Sequence, residues 1–265
     1  MYAALPMYDC AAVRGETDAL WRGIRDRLRT AGIAAPEGLC RDGAPDQGWV
    51  RPDLLLSQTC GLPFVRRLRG KVRLVGAVDH GLPGIAPGHY CSRIVVRRSD
   101  LDRGSAVLAD YRGLCCAYSS PDSQSGAGAM RHLVLPLLRQ GRFFGQSLRT
   151  GGHFASIGAV AEGRADIAAI DAATWRLAER HLPQAALLAV LTSSDPTPGL
   201  PLITARDGPA PALFEAFAGA LAALSAGQRD AIGIHRIVPR TEDDFAPIAA
   251  WDAGAAAAGY RELDA

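Results

Sequence analysis

Four small or polar residues, Ser123, Gln124, Ser125 and Gly126, stand directly before an apolar helical pattern. The first turn of a helix leaves backbone N–H groups without partners, and the helix dipole makes that end positive. Glycine lets an anion approach the backbone, and serine hydroxyls add donors around it. The pattern therefore indicates a cradle for an oxyanion, and an ordinary N-cap in a tight turn is the alternative interpretation.

Polar residues also follow other predicted strands, at the places where ligands bind in open parallel sheets. These turns are Tyr8-Asp9, Ser57-Gln58-Thr59 and Thr150-Gly151-Gly152-His153, and Asp171 ends a further apolar strand. The repeated placement of hydrogen-bonding groups at strand ends favours a site for a small polar ligand over an isolated structural turn.

The elements that must position these residues alternate between strand and helix patterns. Predicted strands cover 1–8, 53–56, 71–78, 90–97, 113–118, 143–149, 166–170, 186–192 and 202–205. Predicted helices cover 16–31, 101–110, 154–163, 172–181 and 211–226, one more runs from the Ser/Gly turn to about 139, and the Ala-rich 253–258 lies in a helical tail. This alternation predicts parallel sheets with helices on both faces.

The strand–helix cycle runs twice, with polar breaks near 98–103 and 193–201. We therefore predict two α/β lobes, one formed by 1–93 plus 200–265 and the other by 95–192. The crossing segments are expected near 93–98 and 192–200.

Composition places the chain among ordinary globular proteins, with 48% hydrophobic and 21% charged residues. The formal net charge of +2 gives no electrostatic argument for a nucleic-acid partner. No apolar run reaches the ~20 residues of a membrane helix, so the protein is not expected to be membrane-embedded. The segment 1–9 lacks the features of a signal peptide, which predicts a cytoplasmic protein unless such a peptide was removed to leave a periplasmic one.

Motifs for other chemistries are missing from the sequence. A P-loop, a complete dinucleotide-binding pattern, a nucleophile elbow and a metal-ligand spacing are all absent, so no cofactor or metal is predicted. The six cysteines include adjacent Cys115 and Cys116 but no C-x-x-C pair. They are predicted to be free thiols, which favours a reducing compartment.

Several stretches in one order resemble the phosphate/phosphonate-type substrate-binding proteins of ABC transporters. They are Tyr90 to Arg97, Asp110-Tyr111-Arg112-Gly113, Ser123-Gln124-Ser125-Gly126, Thr150 to Ser156, Val160 to Asp171 and Pro198-Gly199-Leu200-Pro201. The resemblance covers roughly 5–225, and 110–204 is its specific part. Gln124 stands where a hydroxyl residue is usual in phosphonate binders.

The resemblance implies an α/β, two-lobed type II periplasmic-binding-protein-like fold with a ligand cleft between the lobes. It implies that Ser123, Gln124, Ser125, His153 and Asp171 bind the ligand, with Tyr8 and Tyr90 as cleft aromatics. Thr59, at the end of a first-lobe strand, completes the expected ligand-binding set.

The leading interpretation is a non-enzymatic protein that binds a small oxyanion-bearing ligand, phosphonate- or phosphate-like, and delivers it to an ABC permease. The alternatives are a cytosolic enzyme on the same fold, with His153 and Asp171 as acid/base residues, and a cytosolic ligand sensor.

Overall fold

The computed structural model describes residues 1–263, and the chain forms two compact units. Unit 1 contains 1–89 and 198–246, and unit 2 contains 90–197 and 247–265. The chain therefore passes between the units at three points, after residues 89, 197 and 246.

The strands in chain order are β1 Tyr2–Ala3, β2 Leu54–Gln58, β3 Val72–Asp79, β4 His89–Tyr90, β5 Ser92–Arg97, β6 Cys115–Tyr118, β7 Gln146–Arg149, β8 Ile167–Asp171, β9 Leu188–Ser193, β10 Thr197–Pro198, β11 Pro201–Ala205 and β12 Arg236–Val238. The helices are α1 Arg14–Thr30, α2 Gly61–Pro63, α3 Arg98–Asp102, α4 Ala129–Val134, α5 His153–Ala161, α6 Ala172–His181, α7 Ala210–Ala223, α8 Ala226–Ile232 and α9 Ala246–Ala257. A π-helical turn, Gln124–Gly128, leads directly into α4, and another, Phe64–Leu68, follows α2. Short 3₁₀ turns lie at Ala11–Val13, Pro45–Gly48, Leu108–Tyr111, Leu135–Leu137, Pro183–Leu187 and Glu242–Phe245.

Unit 1 is built on a five-stranded sheet in the order β1-β2-β11-β3-β12. β1 and β2 are parallel, whereas β11 runs antiparallel to both of its neighbours. The prediction of parallel sheets is therefore wrong in detail, because the strand that returns from unit 2 enters the sheet in the opposite direction. The sheet is mixed.

Unit 2 has a second five-stranded sheet, in the order β7-β6-β8-β5-β9. β6 is parallel to β7 and to β8, which brings the carboxyl ends of all three strands to one edge. β5 is antiparallel to β8 and β9. Residues 93–98 were expected to cross between lobes, but most of them lie inside this sheet as β5.

Helices cover both faces of the unit 2 sheet. Successive side chains of β5 point to opposite faces of the sheet, and apolar side chains lie on each face. Ile94 and Val96 pack into one hydrophobic cluster with Met130 of α4, while Val95 packs into another with Ile157 of α5. The helices that begin with the Ser/Gly turn and with His153 are therefore fixed on opposite faces of one rigid sheet.

The C-terminal segment was predicted to belong with the first lobe, and this is wrong. Residues 247–265 belong to unit 2. The buried Arg131 side chain donates to the Arg261 carbonyl and lies 3.5 Å from Asp252 Oδ1. Trp251 stacks on His132 with 4.0 Å between ring centroids. A buried guanidinium needs such acceptors, and they are supplied by the C-terminal segment.

Two local elements also differ from the sequence prediction. The helix expected at 101–110 is instead α3 and a separate 3₁₀ turn at Leu108–Tyr111. Helix α8 was not predicted, although Ser225 and Gln228 form a capping box at its start. That Ser-x-x-Gln spacing is the signal that identifies the helix.

Candidate functional site

The helix start at Ser123 has the geometry of a capped π-helical turn. Ser123 Oγ accepts a hydrogen bond of 2.9 Å from the Gly126 N–H, and the Ser123 carbonyl accepts one of 2.8 Å from the Gly128 N–H. Ser123 is thus an N-cap. The oxyanion cradle predicted from the same residues is an additional role that stays a prediction.

The wide turn places several amides at the start of the helix. The Gly128 N–H donates to the Ser123 carbonyl, and the amides of Gln124, Ser125 and Ala127 lie in this first turn. The π-helical turn and the helix together run from residue 124 to 134, so the positive end of their aligned peptide dipoles lies near residue 124. This end of the helix can bind an anion through main-chain donors.

A third hydroxyl, Ser119, lies at this helix start and was missed by sequence reasoning. A Cβ atom on Gly126 would lie 2.9 Å from Ser123 Oγ and 3.1 Å from Ser119 Oγ. The missing side chain of Gly126 therefore leaves both hydroxyls close to the backbone. Ser119 is the first residue after β6, so the rule that ligands bind at strand ends could have identified it.

Ser125 and His153 form the central contact of the candidate site. Ser125 Oγ lies 2.8 Å from His153 Nε2, although the residues are 28 positions apart in the chain. The parallel pairing of β6 with β7 aligns the loops that follow these strands, with Tyr118 opposite Arg149.

The loop before α5 is held by its own hydrogen bonds. The Thr150 N–H donates to the Tyr118 carbonyl at 2.8 Å, and the Gly151 N–H donates to the Ser119 carbonyl at 3.0 Å. Gly151 has a φ of +88°, which a glycine adopts without strain. Thr150 Oγ1 contacts Ser156 Oγ at 2.7 Å inside α5. The loop therefore presents His153 to Ser125 from a fixed backbone.

The imidazole of His153 is neutral at physiological pH. Burial lowers its pKa to about 4, and the Ala169 backbone carbonyl opposes this shift in part. Nδ1 is fully buried and makes no hydrogen bond of ordinary geometry within residues 1–263. His153 is therefore a neutral polar group and not a cation.

Asp171 ends β8 and caps α6. Its Oδ1 accepts from the Ala173 N–H at 2.8 Å and from the Thr174 N–H at 3.0 Å. The neighbouring strand starts beside it, because Ser92 is opposite Asp171 and the Ala172 N–H donates to the Cys91 carbonyl. Capping explains this buried carboxylate, and its expected contact with a ligand stays a prediction.

The remaining predicted site residues are distributed over both units. Gln124 and Tyr90 are almost fully buried in unit 2. Tyr8 and Thr59 are buried in unit 1. The Tyr8 ring contacts the His80 ring with 4.5 Å between centroids. The Thr59 N–H donates to the Pro201 carbonyl. Ser123, Gln124, Ser125 and His153 come together in unit 2, and the ligand-binding roles of Tyr8, Thr59 and Tyr90 stay predictions.

Residues 1–263 contain no group of three or more His, Cys, Asp or Glu side chains arranged to hold a metal ion. Cys10, Cys40, Cys60, Cys91, Cys115 and Cys116 are free thiols, as predicted.

No single helix in the described part of the chain has both the length and the apolar composition to cross a membrane. Helices α7 and α8 reach that length and apolar composition only when they are taken together, and the chain bends by 119° at the break between them.

Several solved structures have a fold similar to that of this chain. PhnD1 from Prochlorococcus marinus, in complex with methylphosphonate, aligns with a TM-score of 0.73 at 14% identity over 95% of this chain and 97% of that chain. A binding protein component of an ABC phosphonate transporter from Pseudomonas aeruginosa aligns with a TM-score of 0.68 at 16% identity over 95% and 85%. A Xanthomonas citri protein bound to chloride ion gives 0.68 at 16% identity over 98% of both chains. These similarities show the type of fold.

The sequence comparisons identify the family. No curated protein matches the chain. Residues 53–245 match the family model for the phosphonate periplasmic substrate-binding protein of ABC transporters, which is more than half of the chain. The chain therefore belongs to the phosphonate-type periplasmic substrate-binding protein family of ABC transporters.

Proposed function

We propose that this protein binds a small oxyanion-bearing ligand, a phosphonate or phosphate, as the substrate-binding component of an ABC transporter. The observation that carries the proposal is the 2.8 Å contact between Ser125 and His153 at a glycine-containing helix start. The family match supports it. So does the similar fold of the Prochlorococcus marinus protein in complex with methylphosphonate.

The helix start supplies the kinds of group that hold a tetrahedral oxyanion. The amides of Ser125 and Ala127 lie in the first turn of the helix, at the positive end of its dipole. Ser123 Oγ accepts from the Gly126 N–H, so its own proton can be donated to a ligand oxygen. Hydrogen bonds to a charged acceptor are stronger than neutral ones, so this cluster favours an anion over a neutral ligand.

A second candidate function is catalysis, because a serine hydroxyl paired with a neutral histidine is also the geometry of an activated nucleophile. We favour binding, because the family consists of substrate-binding proteins and a base with a pKa of about 4 is a poor match for neutral pH. Incubation with p-nitrophenyl phosphate and p-nitrophenyl acetate tests the alternative. Turnover that is lost in both Ser125→Ala and His153→Gln would favour the enzyme.

We propose an ABC permease as the protein partner and the periplasm as the compartment, since both are properties of the family. The expectation that the ligand lies between two lobes stays a prediction. Fractionation of the native host, followed by uptake of methylphosphonate in a strain lacking this gene, tests both proposals. Unchanged uptake would contradict the transport role.

Isothermal titration calorimetry with methylphosphonate, inorganic phosphate and methanesulfonate tests the binding function. Ser125→Ala is expected to weaken binding of the phosphorus ligands by at least about tenfold, the cost of one hydrogen bond to a charged group. Ser147→Ala, on edge strand β7 of the same unit, is the matched control and is expected to bind like the unmodified protein. Absence of binding to any of these ligands would overturn the proposal.

A further inference from the structure

We propose that unit 1 carries a second binding site, separate from the proposed oxyanion site, for a small molecule with an anionic head group and an apolar tail. The site is a cavity of about 450 Å³ at the end of the unit 1 sheet where β2 and β3 begin. Small-molecule pockets range from about 300 to 1,000 Å³, so a cavity of this volume can hold such a ligand.

Three chain segments supply most of the lining of this cavity. They are 49–55, which leads into β2, 71–72 at the start of β3, and 205–209, which leads from β11 into α7. β11 runs antiparallel to β3 with Ala205 opposite Val72, so its last residues lie beside the first residues of β3. Thr204 Oγ1 donates to the Leu54 carbonyl at 3.3 Å, which holds the end of β11 near the start of β2. The pairing of the strands therefore builds the cavity into the folded unit.

The cavity lies at the opposite end of β2 from Thr59, which was predicted to contact the ligand. Leu54, the first residue of β2, lines the cavity, and Thr59 follows the last residue of the strand. A strand rises about 3.3 Å per residue, so these two residues are about 16 Å apart. Ser125 and His153 belong to unit 2 and do not line the cavity. A ligand bound here therefore does not use the proposed oxyanion site.

Most of the residues that line the cavity are apolar. Leu54, Leu55 and Val72 are buried, whereas Val50 is 64% exposed and Pro52 is also exposed. Burial of exposed apolar surface against an apolar tail is favourable, because it removes that surface from water. The lining therefore favours a ligand that is partly apolar over a small inorganic anion.

The charged side chains that line the cavity leave an excess of positive charge. Arg51 Nε lies 2.8 Å from Asp53 Oδ1, so these two charges compensate each other. The side chains of Lys71 and Arg206 form no hydrogen bond or ion pair within residues 1–263. Asp207 is the remaining carboxylate among the described lining residues, and the two cations outnumber it.

The two uncompensated cations lie on neighbouring strand ends. Since Ala205 is opposite Val72 in the antiparallel register, Arg206 comes next to Lys71. Arg73 Nη1 donates to the carbonyl of Gly208, another lining residue, at 3.4 Å and adds a third positive charge close by. Exposed cations beside an apolar wall match a ligand that combines a negative head group with an apolar tail. The concave shape favours a free molecule over the plane of a membrane surface.

Calorimetric titration with octanoate, below its micelle concentration and with methylphosphonate in excess, tests this site. Octanoate is expected to bind at one site per chain and more weakly as salt is added. Octyl glucoside and octylammonium, which have the same tail with a neutral or a positive head group, are expected to bind more weakly than octanoate. Their comparison separates the contribution of the head group from that of the tail.

Charge variants assign the head group to the two cations. Lys71→Gln combined with Arg206→Gln is expected to weaken octanoate binding by roughly three- to thirtyfold, since exposed charge pairs contribute modestly, and to leave octyl glucoside binding unchanged. Arg14→Gln combined with Arg22→Gln is the matched control. It removes the same charge from exposed positions outside the cavity and is expected to bind octanoate like the unmodified protein.

A substitution at Val50 tests the apolar wall independently. Val50→Glu places a carboxylate on the lining, so it is expected to weaken octanoate binding more than octyl glucoside binding. Because Val50 is exposed, the variant is expected to unfold in urea like the unmodified protein.

Four results would overturn the proposal. They are absence of octanoate binding, equal weakening in the two double variants, octyl glucoside binding as tight as octanoate binding, and competition between octanoate and methylphosphonate. Binding to vesicles of phosphatidylglycerol without binding of free octanoate would identify a membrane-facing surface and also overturn the proposal. Methylphosphonate binding is measured separately, so failure of this site leaves the proposed function intact, and failure of the proposed function leaves this site intact.

Discussion

Replacing Gly126 by alanine directly tests the helix-start cradle. The new Cβ would lie 2.9 Å from Ser123 Oγ, a separation that Cβ atoms essentially never show, and 3.1 Å from Ser119 Oγ. The backbone of Gly126 is not in the left-handed region, so alanine introduces no backbone strain. The methyl group must therefore displace the serine hydroxyls and occupy the space in front of the amides.

The expected change in stability is small because two effects oppose each other. Displacing Ser123 Oγ breaks its hydrogen bond to the Gly126 N–H, and loss of an N-cap costs about 1 kcal/mol. Replacing glycine by alanine in a helix stabilises by about 1 kcal/mol. The net change in the free energy of unfolding is therefore expected to stay within about 1 kcal/mol.

The expected change in affinity is large. Hydrogen bonds to a charged acceptor contribute about 1.5–3 kcal/mol each. Displacement of one serine hydroxyl from the ligand therefore weakens binding by at least about tenfold, and displacement of both by about a hundredfold or more. Loss of affinity without a matching loss of stability is the result that distinguishes a ligand cradle from a structural cap.

Calorimetric titration with methylphosphonate and urea unfolding measure the two quantities. Gly158→Ala is the matched control, because Gly158 lies inside α5 of the same unit and its Cβ would meet only Glu162 Oε1 at 3.7 Å. This variant is expected to gain about 1 kcal/mol of stability and keep its affinity. If Gly126→Ala binds methylphosphonate as tightly as the unmodified protein, the ligand does not sit at this helix start.

Three further predictions concern Asp171, the six cysteines and His153. Asp171→Ala is expected to lose about 1–2 kcal/mol of unfolding free energy in urea titrations, because two amides at the start of α6 lose their acceptor. Asp171→Asn keeps an acceptor oxygen and should retain most of the stability; equal stability of Asp171→Ala and the unmodified protein would contradict the capping role. Alkylation under non-reducing, denaturing conditions should label all six cysteines, and mass spectrometry showing fewer labels would reveal a disulfide. The unfolding free energy should fall from pH 6.5 toward about pH 4, by on the order of 1.4 kcal/mol per unit, since the unfolded histidine takes up a proton that the partly buried His153 of the folded protein does not. Above pH 6.5 this contribution is fully present, and the same slope in His153→Gln would refute its assignment to His153.

The sequence by itself determined the features that depend on neighbouring residues. The apolar period of α1 and the strand-end position of Asp171 are local patterns, and the structure has α1 at Arg14–Thr30 and α6 at Ala172–His181. The surplus of hydroxyl and glycine residues at Ser123–Gly126 marked the correct helix start. Caps and periods are recognisable because their interactions span three or four residues.

The sequence could not determine which distant residues meet. Ser125 and His153 are brought together by the parallel pairing of β6 with β7, and the same pairing places Ser119 beside the loop of Gly151. Strand order and direction depend on long-range packing that a local pattern does not encode, which is why the antiparallel entry of β11 was not foreseen.

The placement of the C-terminal helix was also decided by tertiary structure. Its Ala-rich sequence has few large side chains to indicate a partner surface, so the sequence does not identify the unit against which it packs. The buried Arg131 needs hydrogen-bond acceptors, and Asp252 and the Arg261 carbonyl supply them from this segment. An unpaired buried charge is costly, so the need of Arg131 for acceptors fixes the helix on unit 2. This need arises only when the Arg131 side chain is buried in the folded unit, so a local sequence pattern does not show it.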